Sequence, residues 1–177
     1  MTPGYRISSP LGDIVLRVED DFLTGLFFVG QKYCPPLSAM PVQRGAPLLV
    51  MHARRQITEF FAGERQVFTL PVRFRGTPFQ RQVWGALAAI PYGSVMSYRD
   101  VATRVGLGAE HARAVGSAVG RNPVSVIVPC HRVVSTSGDL TGYAGGLDRK
   151  AALLALENPQ LSLGPSFCED TRCHEAR

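Results

Sequence analysis

Ser97-Tyr98-Arg99-Asp100-Val101-Ala102-Thr103-Arg104-Val105-Gly106-Leu107-Gly108-Ala109-Glu110-His111-Ala112-Arg113-Ala114-Val115-Gly116-Ser117-Ala118-Val119-Gly120 decides the fold. Ser97 to Asp100 is a capping-box pattern, in which a hydroxyl and an acidic side chain satisfy the first free amides of a helix. It predicts a short helix ending near Val105-Gly106. After Leu107-Gly108 a further helix is predicted from Ala109 to Val119. Two short helices joined by a few residues containing glycine fit a helix-turn-helix.

The second of these helices has an unusual face. Ala112, Ala114, Gly116, Ser117, Ala118 and Gly120 are all small, with Arg113 among them. Each glycine costs about 1 kcal/mol relative to alanine inside a helix. Such a face packs closely against another helix, or it sinks into a narrow groove while Arg113 projects. A DNA minor groove, about 6 Å wide, would demand small side chains of this kind. The pattern alone leaves both readings open.

On the N-terminal side, Thr77-Pro78-Phe79-Gln80 is a second capping box with proline at the first helical position. Phe79, Val83, Leu87 and Ile90 continue at helical spacing until Pro91-Tyr92-Gly93. A third helix is predicted over Leu48 to Phe61, with Leu48, Leu49, His52, Gln56 and Phe60 on one side. Tyr5 to Ser8, Asp13 to Val18, Phe22 to Val29 and Gln66 to Val72 read as strands. Residues 31–45 hold three prolines, two of them paired at Pro35-Pro36, and read as a loop.

On the C-terminal side, Arg121-Asn122-Pro123 is a turn signal. Val124 to Val128 reads as a short apolar strand ended by Pro129. Ser135 to Gly146 reads as a mobile loop and Asp148 to Glu157 as the last helix. The expected fold class is α/β (α+β). A small N-terminal α/β domain with an antiparallel sheet covers 1–74. A helical domain over 75–159 carries the helix-turn-helix and a strand leading to Cys130. Residues 160–177 are expected to be a frayed, flexible tail.

Composition narrows the class. The chain has 177 residues, 45% of them hydrophobic and 19% charged, so it is not of a disordered type. No run approaches the ~20 apolar residues of a membrane span. The N-terminus has no secretory signal, so a soluble, cytoplasmic protein without membrane contact is expected. The net charge is +5, carried almost wholly by arginine; Lys32 and Lys150 are the only lysines. Such a balance suits a polyanion, and it also fits a simple compositional bias toward arginine. The cysteines Cys34, Cys130, Cys168 and Cys173 are too sparse for a disulfide framework.

Cys130 is followed directly by His131. A thiol attacks as thiolate, and an ordinary cysteine is mostly protonated at neutral pH. His131 is a candidate base. In an extended segment, however, adjacent side chains point to opposite faces, so direct contact needs a turn or an intervening water. Glu157 sits in the last turn of a helix, where the dipole disfavours an anion. It is either exposed or held by a cationic or hydrogen-bonding partner.

Pro129-Cys130-His131-Arg132-Val133 resembles the active-site signature of the O6-alkylguanine-DNA alkyltransferases, the methylated-DNA–protein-cysteine methyltransferases. Further blocks are similar to that family in its own order. These are Thr77-Pro78-Phe79-Gln80 with Val83-Trp84, Ile90-Pro91-Tyr92-Gly93, Ser97-Tyr98, Arg113-Ala114-Val115-Gly116, Asn122-Pro123 and Gly142-Tyr143-Ala144-Gly145-Gly146. Residues 75–158 carry the resemblance; residues 1–74 match only in length and layout.

The resemblance implies irreversible, stoichiometric transfer of an alkyl group from O6-alkylguanine in double-stranded DNA to Cys130, with O4-alkylthymine left open as a further substrate. It implies binding through the minor groove, with Arg113 entering the duplex beside Ala112, Gly116 and Ser117. The damaged nucleotide is extruded, at a cost of a few kcal/mol, because its O6 atom cannot be reached in the stack. Tyr98 would ease its rotation and donate to the base. Tyr143 and Gly145 would line the pocket. The carbonyls of Cys130 and Val133 would accept from the exocyclic amine, and the Ala144 amide would donate to O6. Asn122 would brace the turn near His131, a water would link Cys130 to His131, and Glu157 would hold the histidine. No cofactor is implied. Cys34 and His52 lack convincing partners, so no metal site is predicted; Cys168, Cys173 and His174 would at most take adventitious metal. A monomer is expected, with clustering on DNA left open.

Two other classes compete. A DNA-binding module without chemistry would lack the cysteine that is present here. A Cys-His hydrolase would release acyl product repeatedly, and no oxyanion-binding pattern accompanies Cys130.

Overall fold

The computed structural model describes residues 3–36, 38–41 and 45–161. The predicted tail beyond Leu161, with Cys168, Cys173 and His174, lies outside them. Strands β1 (Pro3–Ile7), β2 (Ile14–Glu19) and β3 (Phe22–Phe28) form an antiparallel meander. Asp20 and Asp21 both take positive φ, 48° and 60°, which is the geometry of a two-residue hairpin whose twist matches the strands.

A fourth strand, β4 (Ser38–Pro41), lies parallel to β1 and makes the sheet order β3-β2-β1-β4. It falls where the prolines predict a loop. An edge strand tolerates proline, because one side of its backbone has no partner to lose. The candidate strand over Gln66 to Val72 does not form. Pro71 has no amide to donate, and the Gln56 side chain takes the pairing instead: it accepts from the Thr69 amide at 2.9 Å and donates to Thr69 Oγ1 at 2.8 Å. Only an isolated bridge, Leu23 to Val72, remains.

Helix α1 (Leu48–Phe61) has the predicted bounds but turns a different face inward. Val50, Ala53, Ile57 and Phe60 follow the i, i+3, i+7, i+10 rule and are buried, whereas Leu48 is 70% exposed and His52 faces solvent. Helix α2 (Pro78–Ala88) starts at Thr77 with both capping-box bonds made. The pair β5 (Met96–Ser97) and α3 (Tyr98–Arg104) follows, again with a complete capping box from Ser97 and Asp100. A 3-10 turn over Ala109–His111 leads into α4 (Ala112–Gly120), so the predicted second helix begins as a tighter turn.

Helix α2 fixes this helix pair. Trp84 Nε1 donates to the Ala118 carbonyl in α4 at 2.8 Å, and Gln82 Nε2 donates to Val105, just past the end of α3, at 2.9 Å. A 3-10 turn, Cys130–Arg132, is followed by β6 (Val133–Val134), which pairs parallel with β5. The last helix is α5 (Leu147–Glu157). The same β5–β6 ladder therefore joins the start of α3 to the residue after His131-Arg132.

The expected strand leading to Cys130 is absent. Val124 to Val128 folds as a turn, with Val128 N donating to Val124 O at 3.0 Å and Val126 at φ 70°. Its valines are buried on all sides, which gives the apolar run of a buried strand without its extended backbone. Strand β3 supports this turn: Leu26 N donates to Pro123 O and Ser125 N to Leu26 O, at 2.9 and 3.0 Å. A single apolar cluster, from Ile14 and Phe28 through Trp84 to Val133 and Leu153, runs beneath sheet and helices alike.

Candidate active site

Asn122 shapes the backbone that presents Cys130. Its side-chain amide donates to Val128 O at 2.8 Å, and its oxygen accepts from Val124 N at 3.0 Å. The chain is folded tightly enough that Pro129 hands Cys130 to a 3-10 turn rather than to a strand. This turn places His131 and Arg132 inward together, and both are buried.

Glu157 closes the arrangement from the end of α5. Its side chain is 1% exposed. Oε1 meets His131 Nε2 at 2.7 Å and Arg132 Nη2 at 2.9 Å, and Oε2 accepts from Arg132 Nε at 2.8 Å. Arg132 also donates to the Ile90 carbonyl. Burial pushes the Glu157 carboxyl up, but the hydrogen bonds and charges of His131 and Arg132 outweigh it and hold it at about 2. The carboxylate is thus an acceptor only, so His131 Nε2 carries the proton. Nδ1 keeps its lone pair, is buried, and has no hydrogen-bond partner among the described residues.

The other ionisations follow from burial. It pushes the Cys130 thiol up, against the pull of the Asn122 side chain and the Lys150 ammonium. It pushes His131 down, against the pull of Glu157. At neutral pH both are therefore uncharged. Burial also lowers Lys150 to about 8, offset in part by Cys130. The Tyr143 hydroxyl is buried without a hydrogen-bond partner among the described residues, and burial raises it well above its ordinary value.

Beside this row lies a cavity of about 800 Å³. Tyr98, Ala112, Arg113, Gly116, Ser117, Tyr143 and Ala144, all predicted site residues, line it together with Lys32 and Tyr33. Cys130, Val133 and Gly145 do not line it. Cys130 is 5% exposed, and Lys150, whose ammonium acts on the thiol, donates to the carbonyl of Thr141, a residue of the cavity lining. Gly145 is where two groups crowd in: a Cβ there would lie 2.7 Å from the Tyr143 ring and 3.3 Å from Phe28. The Tyr98 hydroxyl donates to Thr141 O at 2.8 Å, so its proton is already engaged in this state. Arg113 is exposed and has no ion pair among the described residues.

Two residues were missed by sequence reasoning. Arg132 stands in the sequence only as part of the Pro129–Val133 motif, yet an anion at a helix end calls for a cation and Arg132 supplies it. Lys150 is fully buried and donates to Thr141 O at 2.8 Å. It precedes Glu157 by seven residues, two helical turns, and so shares its face; that spacing was the available signal.

A helix-turn-helix beside a buried run of cysteine, histidine and glutamate defines a protein of the class that pairs a DNA-binding motif with a candidate cysteine site. Residues 78–159 match the family model described as 6-O-methylguanine DNA methyltransferase, DNA binding domain. The methylated-DNA–protein-cysteine methyltransferase of Mycolicibacterium paratuberculosis is 46% identical over 154 residues, spanning 86% of this chain and 91% of that one. The constitutive enzyme of that name from Bacillus subtilis is 42% identical over 152 residues, spanning 84% and 91%. The crystal structure of Mycobacterium tuberculosis O6-methylguanine methyltransferase superposes with a TM-score of 0.79 at 42% identity, covering 93% of this chain and 97% of that one. The same organism's OGT in complex with DNA gives 0.80 at 43% identity, covering 88% and 92%. The chain belongs to the methylated-DNA–protein-cysteine methyltransferase family.

Proposed function

We propose that this protein repairs DNA by direct reversal, taking the alkyl group of O6-alkylguanine onto Cys130 Sγ. The observation that carries this reading is the His131 lone pair. It is fixed by Glu157 and Arg132, buried, and adjacent in chain to a buried thiol, in a site whose cavity is lined by Tyr98, Arg113 and Tyr143. The curated relatives carry the activity in their names, and a solved relative is bound to DNA.

In this reading α4 lies in the minor groove and Arg113 occupies the space left by the extruded nucleotide. The small residues along α4 allow that approach. The extruded base enters the cavity between Tyr98 and Tyr143. Through a bridging water, the thiol proton passes to His131 Nδ1. The S–C bond forms as the C–O6 bond breaks, and the electron pair stays on guanine. Guanine then takes up one proton, equal to the one the thiol gave up. The product at Cys130 is a thioether, which no group in the site can reverse, so each molecule acts once.

Mixing the protein with an oligonucleotide containing O6-methylguanine is expected to add one methyl, found on Cys130 and not on Cys34 by mass spectrometry of the digest. Cys130→Ala is expected to take up none. Turnover of more than one methyl per molecule would overturn the mechanism.

A further inference from the structure

The cavity has a second wall that the proposed chemistry does not use. It comes from the short segment after β3. Lys32 N donates to the Ala144 carbonyl at 2.9 Å, which latches this segment to the loop that carries Tyr143. Lys32 and Tyr33 line the cavity opposite Arg113 and Gly116 of α4. Tyr33 takes φ 63°, a left-handed conformation that a side chain with a Cβ rarely adopts.

That conformation places the Tyr33 ring between two cations. The Lys32 ammonium lies 5.0 Å and the Arg121 guanidinium 4.7 Å from its centroid. Tyr33 remains 49% exposed. Neither Lys32 nor Arg121 meets a carboxylate among the described residues, whereas Arg6 and Arg17 of the sheet and Arg73 and Arg75 before α2 all have acidic partners. Lys32 and the Tyr33 ring line the cavity, and Arg121 is held against the same ring, so two cations without carboxylate partners among the described residues are preorganised for anions beside it. Arg121 directly follows Gly120, the last residue of α4 and part of the cavity lining.

We propose that Lys32, Tyr33 and Arg121 form a clamp on the two phosphates that flank the extruded nucleotide. The clamp rests on the reading that a nucleotide enters the cavity. An extruded nucleotide carries both its phosphates out of the helical line with it. They arrive at the cavity mouth, where α4 can offer only Arg113, which is committed to the duplex. Lys32 and Arg121 supply the missing countercharge. Tyr33 keeps both side chains extended toward the mouth, so less side-chain freedom is lost when the strand arrives.

The test is a binding cycle in a Cys130→Ala background, where no methyl transfer intervenes. The duplexes carry O6-methylguanine with either ordinary phosphates or neutral methylphosphonates on both sides of the lesion. Affinity is measured by fluorescence anisotropy across a salt series for the parent, the Lys32→Gln/Arg121→Gln double variant, and Arg54→Gln as a charge control outside the cavity. Each lost phosphate contact lowers the slope of log K against log salt by about 0.9, so the double variant is expected to lose about 1.8. Arg54→Gln is expected to leave the slope unchanged. Neutralising the flanking phosphates is expected to weaken the parent at least fivefold and the double variant less than twofold.

An unchanged slope in a folded double variant overturns the clamp, as does an equal loss in Arg54→Gln. Equal sensitivity of parent and double variant to the methylphosphonates overturns it as well. If the double variant does not fold, judged by its melting curve, Lys32→Gln alone carries the test with half the change in slope. Methyl transfer to Cys130 by the wild type is scored separately. Its absence would sink the repair reading while the salt slope still reports the clamp.

Discussion

Glu157→Gln replaces one oxygen of the buried carboxylate with an amide nitrogen and changes almost nothing in size. In the native protein that carboxylate takes three charge-assisted hydrogen bonds, from His131 Nε2 and from two nitrogens of Arg132. A glutamine cannot reproduce them: its amide nitrogen would face either a guanidinium donor or an imidazole donor. Arg132, with a side chain 7% exposed, is then left as a buried charge without its counterion. Losing one partner of a buried pair costs about 3–5 kcal/mol. Proton linkage gives a second, independent figure. Holding a carboxyl at about 2 instead of 4.5 corresponds to about 3 kcal/mol. The sign is that of a depressed acid. The stabilisation is complete above pH 4.5 and is lost as pH falls toward 2. Urea unfolding of wild type and variant at pH 7.5 and at pH 3 measures this. A gap of about 3 kcal/mol is expected at pH 7.5, narrowing at pH 3. The same variant should slow single-turnover methyl transfer roughly 10²- to 10⁴-fold. An amide that donates to Nε2 forces the His131 proton onto Nδ1, where the lone pair is needed; the corresponding Asp→Asn change in serine proteases costs about 10⁴. A gap below about 1 kcal/mol at pH 7.5, or one that does not change with pH, would refute the linkage between this carboxylate and the stability of the turn.

The rate of methyl transfer is expected to be flat from about pH 6.5 to 7.5, because burial pushes His131 below its ordinary 6.5 and Cys130 above its ordinary 9.0, and to fall above about pH 8 as Lys150 loses its proton; a rise through pH 7 to 9 in single-turnover assays would mean that a free thiolate is the resting nucleophile. Asn122→Ala leaves the Val124 amide unpaired in a buried turn and takes one of two donors from the Val128 carbonyl, which keeps the Cys130 amide, so it is expected to cost about 1–3 kcal/mol in thermal or urea unfolding. Arg113→Ala should leave stability within about 0.5 kcal/mol of wild type, since the side chain is exposed, yet lower the rate on damaged duplex at least tenfold. Equal rates for that variant and wild type on duplex would remove Arg113 from the extrusion step.

Much of this architecture was legible in the chain because it is written in local signals. Thr77 and Ser97 start α2 and α3 as capping boxes, and Leu48 to Phe61 is a helix to the residue. What was not legible depends on partners distant in sequence. Nothing in Ser38 to Pro41 says that β1 will accept it as a parallel edge strand. Val124 to Val128 has the composition of a buried strand, and only the Asn122 side chain, reaching six residues ahead to Val128, makes it a turn. The Cys130–His131 problem had the same root. An extended backbone would splay the two side chains apart, whereas the 3-10 turn that follows Pro129 removes the premise. Lys32 and Tyr33 were invisible as site residues for a further reason. Their segment enters the cavity through a backbone bond to Ala144, 112 residues away, and backbone bonds leave no trace in side-chain pattern.

Thiol acidity does not by itself choose the acceptor in this protein. Burial pushes Cys34 up as it does Cys130, and Arg17 only partly opposes it. Both cysteines are therefore thiols at neutral pH, and Cys34 is the more exposed of the two. The difference is that Cys130 has a buried imidazole lone pair next to it in the chain, a Tyr143 hydroxyl without a partner among the described residues, and a Lys150 ammonium. These groups do little for the resting thiol, but in the proposed reaction each would favour the charged pair of thiolate and imidazolium once a base sealed the cavity from water. A nucleophile that stays protonated until then is also protected from oxidation, which needs the thiolate. That protection matters more here than in a turning-over enzyme, because a cysteine that is consumed by one reaction has no second cycle in which to recover an early loss. On this argument the upward push on Cys130 is part of the device: burial stores the thiol, and His131, held by Glu157 and Arg132, decides when it is spent.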